Sequence, residues 1–305
     1  MRKPLLAMMI LVLGAASTVQ AVPAENRFAD LLDAKFTAGL KEIETGLDGV
    51  LGLAIKDLKT GKTFFLNERE VFPQASSIKI ALLLEVFKQA QEGKLDLDEF
   101  LTVDEARKVG GSGVIYLLGR PSLSLSVRDT AVLMVVLSDN TATNLLIEKV
   151  GMEAVNKRMA ALGLRGTKLR RKMMDLTAAS EGRENLSTPL EMMTLLEKIW
   201  KGEALGEPFR KDLLDILAIP KDSPLRAGVP DGISVAEKPG GLEAVRCDSG
   251  IVMMPGRPYV ICVMMTYLKR DADGDPAIAR VSRLVYDHFS RLERSSEYGR
   301  IVSDK

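Results

Sequence analysis

Strand-like runs occur near both ends of this chain, and a long stretch of helical pattern separates them. Gly49 to Leu58 and Thr63 to Leu66 are rich in apolar residues and flank the turn Lys59-Thr60-Gly61-Lys62, which reads as a hairpin. Gly232 to Glu237, Ala244 to Met254 and Tyr259 to Leu268 form a second group of strands. Between the groups, Ile78 to Ala90 is apolar nearly all round, as a buried helix is. Val127 to Leu137, Asn140 to Val150, Met152 to Leu162, Pro189 to Trp200 and Glu207 to Leu217 continue the helical pattern. Asn26 to Leu47 and Ala277 to Leu292 repeat apolar residues at threes and fours and flank the whole. The simplest assembly is an α/β chain of the α+β kind: one antiparallel sheet made from both ends, helices on its faces, and an inserted all-α lobe. The sheet lobe is expected over about 24–75 and 221–295, the helical lobe over about 76–220. A cleft between two such lobes is a natural ligand site.

The first residues read as an export signal. Arg2 and Lys3 precede an uncharged apolar run from Leu5 to Leu13, and Val19-Gln20-Ala21 offers small residues for cleavage after Ala21. That run is shorter than the roughly 20 residues a membrane span needs. Residues 1–21 are therefore expected to be a signal peptide and 22–305 one catalytic domain, exported to the periplasm or beyond, with no membrane span after cleavage. The 42 basic and 41 acidic side chains leave a formal charge of +1, which favours neither nucleic acid nor an anionic membrane as partner; a monomer is expected. Cys247 and Cys262 lie in strands joined by the turn Pro255-Gly256-Arg257-Pro258, where pairing would be off register, so two buried thiols are expected. Two cysteines and one histidine are too few for a zinc site, and no cofactor pattern is present.

Three short elements carry chemistry. In Ser76-Ser77-Ile78-Lys79 a serine opens a helix, where free N–H groups face a reacting carbonyl, and a lysine stands one turn on. Burial of that lysine disfavours its charge and makes it a base for the hydroxyl. Ser138-Asp139-Asn140 falls between two helices; Ser138 is placed to pass a proton, and Asn140 to hold a substrate carbonyl or amide, although all three residues also cap helices well. In Lys238-Pro239-Gly240-Gly241 the lysine suits a substrate carboxylate, and the glycines admit a close backbone. The only histidine, His288, lies in the last helix and reads as a packing or helix-surface residue, so a serine–histidine–aspartate triad is a poor fit.

The order serine-x-x-lysine, serine-aspartate-asparagine 62 residues later and lysine-x-glycine 100 residues after that resembles the signature of class A β-lactamases and penicillin-binding proteins. Phe72-Pro73-Gln74-Ala75-Ser76, the run from Ser138 to Leu146, Ser187-Thr188-Pro189 and Val235-Ala236-Glu237-Lys238 are similar to that family as well. The resemblance runs from about Phe28 to Leu292 and implies a β-lactamase/transpeptidase-like fold. It further implies an acyl-enzyme on Ser76, Lys79 as base, Ser138 as shuttle, and Asn140, Lys238, Gly240 and Gly241 against a small β-lactam or peptidoglycan-like substrate. The implied oxyanion donors are the N–H groups of Ser76 and Gly241.

The sequence departs from the family in three places. The omega-loop glutamate that activates water falls on Met173, counted from Arg171, and leaves Asp175 as the nearest carboxylate. In Glu181-Gly182-Arg183-Glu184-Asn185, Glu181 and Asn185 repeat the family's mutual spacing of four but stand near the loop's exit, where the match reads as coincidence. Pro239 replaces a hydroxyl residue. Arg246 lies one residue from the place of a carboxylate-binding arginine, an offset that reverses a strand side chain, and is not assigned. Three readings remain open: a β-lactamase, a related hydrolase of peptidoglycan peptides, esters or amides, and a binding module that is acylated and not released.

Overall fold

A computed structural model of the chain describes residues 27–119 and 122–302. The expected signal sequence lies outside the described residues. The helices are α1 (Arg27–Thr45), α2 (Lys79–Gln91), α3 (Val127–Val136), α4 (Asn140–Val150), α5 (Met152–Ala161), α6 (Leu176–Ser180), α7 (Pro189–Trp200), α8 (Phe209–Ala218), α9 (Pro224–Ala227) and α10 (Gly274–Arg294). The strands are β1 (Val50–Asp57), β2 (Thr63–Leu66), β3 (Phe72–Pro73), β4 (Phe100–Val103), β5 (Leu123–Ser126), β6 (Leu186–Ser187), β7 (Val235–Leu242), β8 (Val245–Val252) and β9 (Tyr259–Thr266).

Five strands form one antiparallel sheet in the order β2-β1-β9-β8-β7, so the two ends of the chain are knitted at the β1–β9 pair. Alternate residues of β1 and β9 serve two cores. Leu51, Leu53 and Ile55, with Ile261, Val263 and Met265, pack against Phe36, Leu40 and Ile43 of α1 and Ile278, Val281, Val285 and Phe289 of α10. Ala54, Val260, Cys262 and Met264 face the other way, into the core that holds α2, α4 and α7. A sheet covered on both faces needs apolar residues at both parities, which is why these strands read as continuous apolar runs. Each of the larger side chains so buried contributes about 1.5–3 kcal/mol.

Several local expectations are corrected. The strand expected over Gly232 to Glu237 begins at Val235 and runs on to Leu242, so the Lys238 motif lies inside it. Pro239 is tolerated there because β7 is the edge of the sheet. The stretch Leu164 to Ser187 is no plain loop: it holds α6, and β6 pairs with β3. The β4–β5 hairpin, and α9 with Ser223 as cap and Pro224 in its first turn, were not anticipated.

The two cysteines are free and buried. Cys247 stands opposite Met264, and Cys262 opposite Ser249, so they are two residues out of register. Burial pushes the Cys247 thiol up to about 12, which makes it a poor nucleophile. His288 is buried, stacks on the Phe36 ring at 4.2 Å between centroids and places Nε2 2.9 Å from Asp33.

Candidate active site

Ser76 lies in a short 3-10 turn, Ala75–Ile78, that leads into α2. The approach to it is pinned twice. β3 pairs with β6, and the Gln74 N–H donates to the Asn185 carbonyl at 2.8 Å. A Cβ on Gly52 would stand 2.5 Å from the Phe72 ring, so the sheet presses directly on this segment. Ala75 adopts φ +45°, a strained value for a residue with a side chain, immediately before the serine. On the far side the Ser77 hydroxyl donates to the Lys238 carbonyl at 2.8 Å. A Cβ on Gly240 would lie 2.7 Å from the Ser76 nitrogen and 2.8 Å from that of Ser77, so only glycine lets β7 approach the turn.

Lys79 follows on the first turn of α2 and is fully buried. Its ammonium nitrogen donates to the Ser138 carbonyl at 2.7 Å, the Ser138 hydroxyl at 3.0 Å and Asn140 Oδ1 at 3.3 Å. Burial holds its pKa well below the usual lysine range; the charge of Lys238 lowers it further, and Asp139 opposes. Ser138 adopts φ +52° at the α3–α4 junction, which turns it toward Lys79. Asp139 does the capping: one oxygen accepts from the Ala142 N–H, the other from those of Val114 and Ile115. Asn140 also donates to the Gly110 carbonyl at 3.0 Å, so both ends of its amide are held.

Lys238 is 1% exposed and donates to the Pro239 carbonyl at 2.7 Å. Burial lowers its pKa to about 8; Lys221 lowers it further, while Asp248 and Glu237 oppose. Two cavities meet at Ser76 and Gly241. One of about 700 Å³ is lined by Ser76, Ser138, Lys238, Gly240, Gly241 and Arg246. The other, of about 560 Å³, is lined by Ser76, Asn140, Gly241, Met173, Met174 and Glu184. Thus Ser76, Lys79, Ser138, Asn140, Lys238, Gly240 and Gly241 come together, and Arg246, left unassigned from the sequence, joins them.

Asp175 does not. Its carboxylate is exposed, accepts from the Ala178 N–H at 2.9 Å as the cap of α6, and lines neither cavity. Met173 occupies the wall instead, its backbone clamped by Asn144, which accepts from the Met173 N–H at 2.8 Å and donates to its carbonyl at 3.0 Å. Glu184 reaches the second cavity but is bound by Arg171 at 2.8 and 3.2 Å. Asn185 ties the neck of the loop, accepting from the Arg170 and Arg171 N–H groups. Glu184 and Asn185 are thus part of the loop's framework and of the cavity wall, whereas Glu181, the glutamate at the family's spacing from Asn185, is exposed, pairs with Arg183 and does not line the cavity.

The model of the β-lactamase enzyme family matches residues 35–289. The chain belongs to the class A β-lactamase family. The imipenem-hydrolyzing β-lactamase of Enterobacter cloacae is 29% identical over 259 residues, covering 82% of this chain and 88% of that protein. Among solved structures, an ancestral class A β-lactamase is 32% identical with a TM-score of 0.77, covering 83% of this chain and 99% of that one. A mutant of PBP-A, as its acyl-enzyme complex with penicillin G, is 30% identical with a TM-score of 0.78, covering 85% and 97%. The fold is the β-lactamase/transpeptidase-like fold, and the chain is a serine β-lactamase-type hydrolase.

Proposed function

We propose that Ser76 attacks the carbonyl of a β-lactam and forms an acyl-enzyme that is released slowly. The observation that carries this reading is the buried Lys79 amine within 3.0 Å of the Ser138 hydroxyl, in a cleft shared with Ser76. Lys79 takes the Ser76 proton, and Ser138 returns a proton to the departing nitrogen. The N–H groups of Ser76 and Gly241 receive the oxyanion, Asn140 and Gly240 lie along the substrate, and Lys238 meets its carboxylate. The charged segment and apolar run of residues 1–21 support export to the periplasm or beyond.

A second reading, a penicillin-binding hydrolase of peptidoglycan-like peptides, is favoured by the Met173 wall and the capping role of Asp175. Intact mass of the protein mixed with penicillin G, followed in time, separates the two. A Ser76 adduct that appears and then clears as opened drug accumulates supports a β-lactamase, whereas a lasting adduct supports the second reading. Ser76→Ala is expected to form no adduct at all, and an adduct on that variant would remove Ser76 as nucleophile.

Lys238 gives the reading a pH signature. Its folded pKa of about 8 means that it is charged below pH 8 and neutral above. The second-order acylation rate by a carboxylate-bearing penicillin is therefore expected to fall above pH 8, by up to about tenfold per unit until the ion pair's contribution is exhausted. The methyl ester of the same penicillin should show no such fall; equal alkaline limbs for both would remove Lys238 from carboxylate recognition.

A further inference from the structure

Both arms of the cleft serve the chemistry at Ser76, and a separate cavity of about 770 Å³ opens on the other face of the sheet. It lies where the start of α1, the β1–β2 turn and the end of α10 converge. Its floor is apolar and is made by Phe28, Leu32, Phe64, Phe289 and Leu292. Phe64 and Phe289 belong to the core packed by α1 and α10, whereas the Ser76 turn packs through Ile78 into the opposite core. Phe28 walls the cavity yet is 59% exposed, so apolar surface stands open to water at the mouth. A volume of this size suits a small organic ligand.

The charges around this floor are paired, with one exception. Lys62 donates to the buried Asp33 carboxylate. Arg257 donates to Asp57 at 2.7 Å and to Glu293 at 3.2 Å. Glu297, the remaining acid of the wall, holds the Tyr298 hydroxyl. Arg291 is exposed, lines the cavity beside Leu292 and has no carboxylate partner among the described residues. An apolar floor with one free guanidinium at its rim complements a molecule with one apolar chain and one anionic head.

We propose that this cavity is a binding site distinct from the cleft, and that it takes a long-chain carboxylate. The alkyl chain lies on the Phe64–Phe289 floor and covers Phe28, and the carboxylate meets Arg291. A neutral alcohol of the same length gains the floor and leaves the guanidinium without a partner. An alkylammonium meets a like charge at the rim, because Asp33 and Asp57 are already engaged. The bound chain touches α1, the β1–β2 hairpin and α10 together, so it ties down three elements far apart in sequence and stabilises the folded chain by linkage.

The test titrates the folded protein with dissolved decanoate, below its micelle concentration, by calorimetry, with thermal melts alongside. Saturable binding is expected, tightening up to about tenfold from octanoate to decanoate and again to dodecanoate. Decanoate should raise the Tm, and decanol should bind at least about fivefold more weakly. Arg291→Glu, a change at an exposed position, should weaken decanoate at least about tenfold while leaving decanol binding and the acylation of Ser76 by penicillin unchanged. Leu32→Trp fills the floor and should weaken both ligands; Arg291→Glu keeps the test decisive if that variant folds poorly. Decanoate bound equally by the wild type and Arg291→Glu, or decanol bound as tightly as decanoate, overturns the anion-headed site. A Tm that falls without saturable heat marks a detergent effect and overturns it as well. Capture of the protein by phosphatidylglycerol vesicles with no binding of dissolved decanoate makes this face a membrane-docking surface and overturns the single-molecule site.

Discussion

Replacing Lys79 with methionine is expected to slow acylation of Ser76 by ~10²–10⁴-fold, the range a positioned general base contributes. That corresponds to about 2.7–5.4 kcal/mol of transition-state stabilisation. The same variant is expected to keep or slightly raise its Tm. Lys79 is wholly buried in an apolar helix, where an amine is costly to hold in charged form, and methionine is close to it in length and suited to that surrounding. The substitution leaves the Ser138 carbonyl and Asn140 Oδ1 without their donor, which offsets part of the gain. Far-ultraviolet circular dichroism and a thermal melt, set beside the time course of adduct formation, separate a lost base from a lost fold. If acylation survives in a folded Lys79→Met protein, another group takes the Ser76 proton. A direction for pH follows from the same burial. Because the amine's pKa is held well below the usual lysine range, the base is unprotonated over a wider span of pH, and acylation is lost on the acid side as the amine gains its proton.

What could be read from the residues and what could not divide along a physical line. Ser76, Lys79, Ser138 and Asn140 were legible because each sits at a junction whose geometry is local: a helix start, one helical turn, an interhelical corner. Lys238, Gly240 and Gly241 were legible as a motif, although the strand's end was misplaced, because a proline argues against a strand unless the strand's edge position is known. Arg246 could be named but not assigned from the sequence, for a reason of register. The turn between β7 and β8 has two residues, Glu243 and Ala244, the latter at φ +57°, and this sets Gly241 opposite Arg246. A count along the chain that is one residue out reverses the predicted side of a strand. The loop carboxylates failed for another reason. Asp175 stands before Leu176-Thr177-Ala178, a helix-start pattern in which an aspartate caps the helix and its carboxylate is engaged by the Ala178 N–H. Glu184 and Asn185 are distant from Arg171 in sequence, and only folding of the loop shows that they hold it.

Restoring a carboxylate at the wall is expected to convert slow release into turnover. In Met173→Glu, the penicillin adduct on Ser76 should clear ~10²-fold or more faster, with its rate of formation changed by only a few fold. The backbone of residue 173 is clamped at both its N–H and its carbonyl by Asn144, so the new side chain leaves from a fixed point into the arm that Ser76 and Asn140 share. Glutamate and methionine have similar reach, so the carboxylate arrives where the thioether now stands. Met173 is only 8% exposed, and burial raises the pKa of a carboxyl placed there toward the range in which it accepts a proton from water at neutral pH. The same burial should cost about 1–3 kcal/mol of stability, read as a lowered Tm. Met173→Gln supplies the comparison, since it has the same shape and polarity without a proton acceptor and is expected to leave the adduct's lifetime nearly unchanged. If both variants speed release equally, the methionine acts by excluding water and not by standing in a base's place. If neither does, the adduct persists for a reason on the other side of Ser76, where Ser138 and Lys238 face the leaving group.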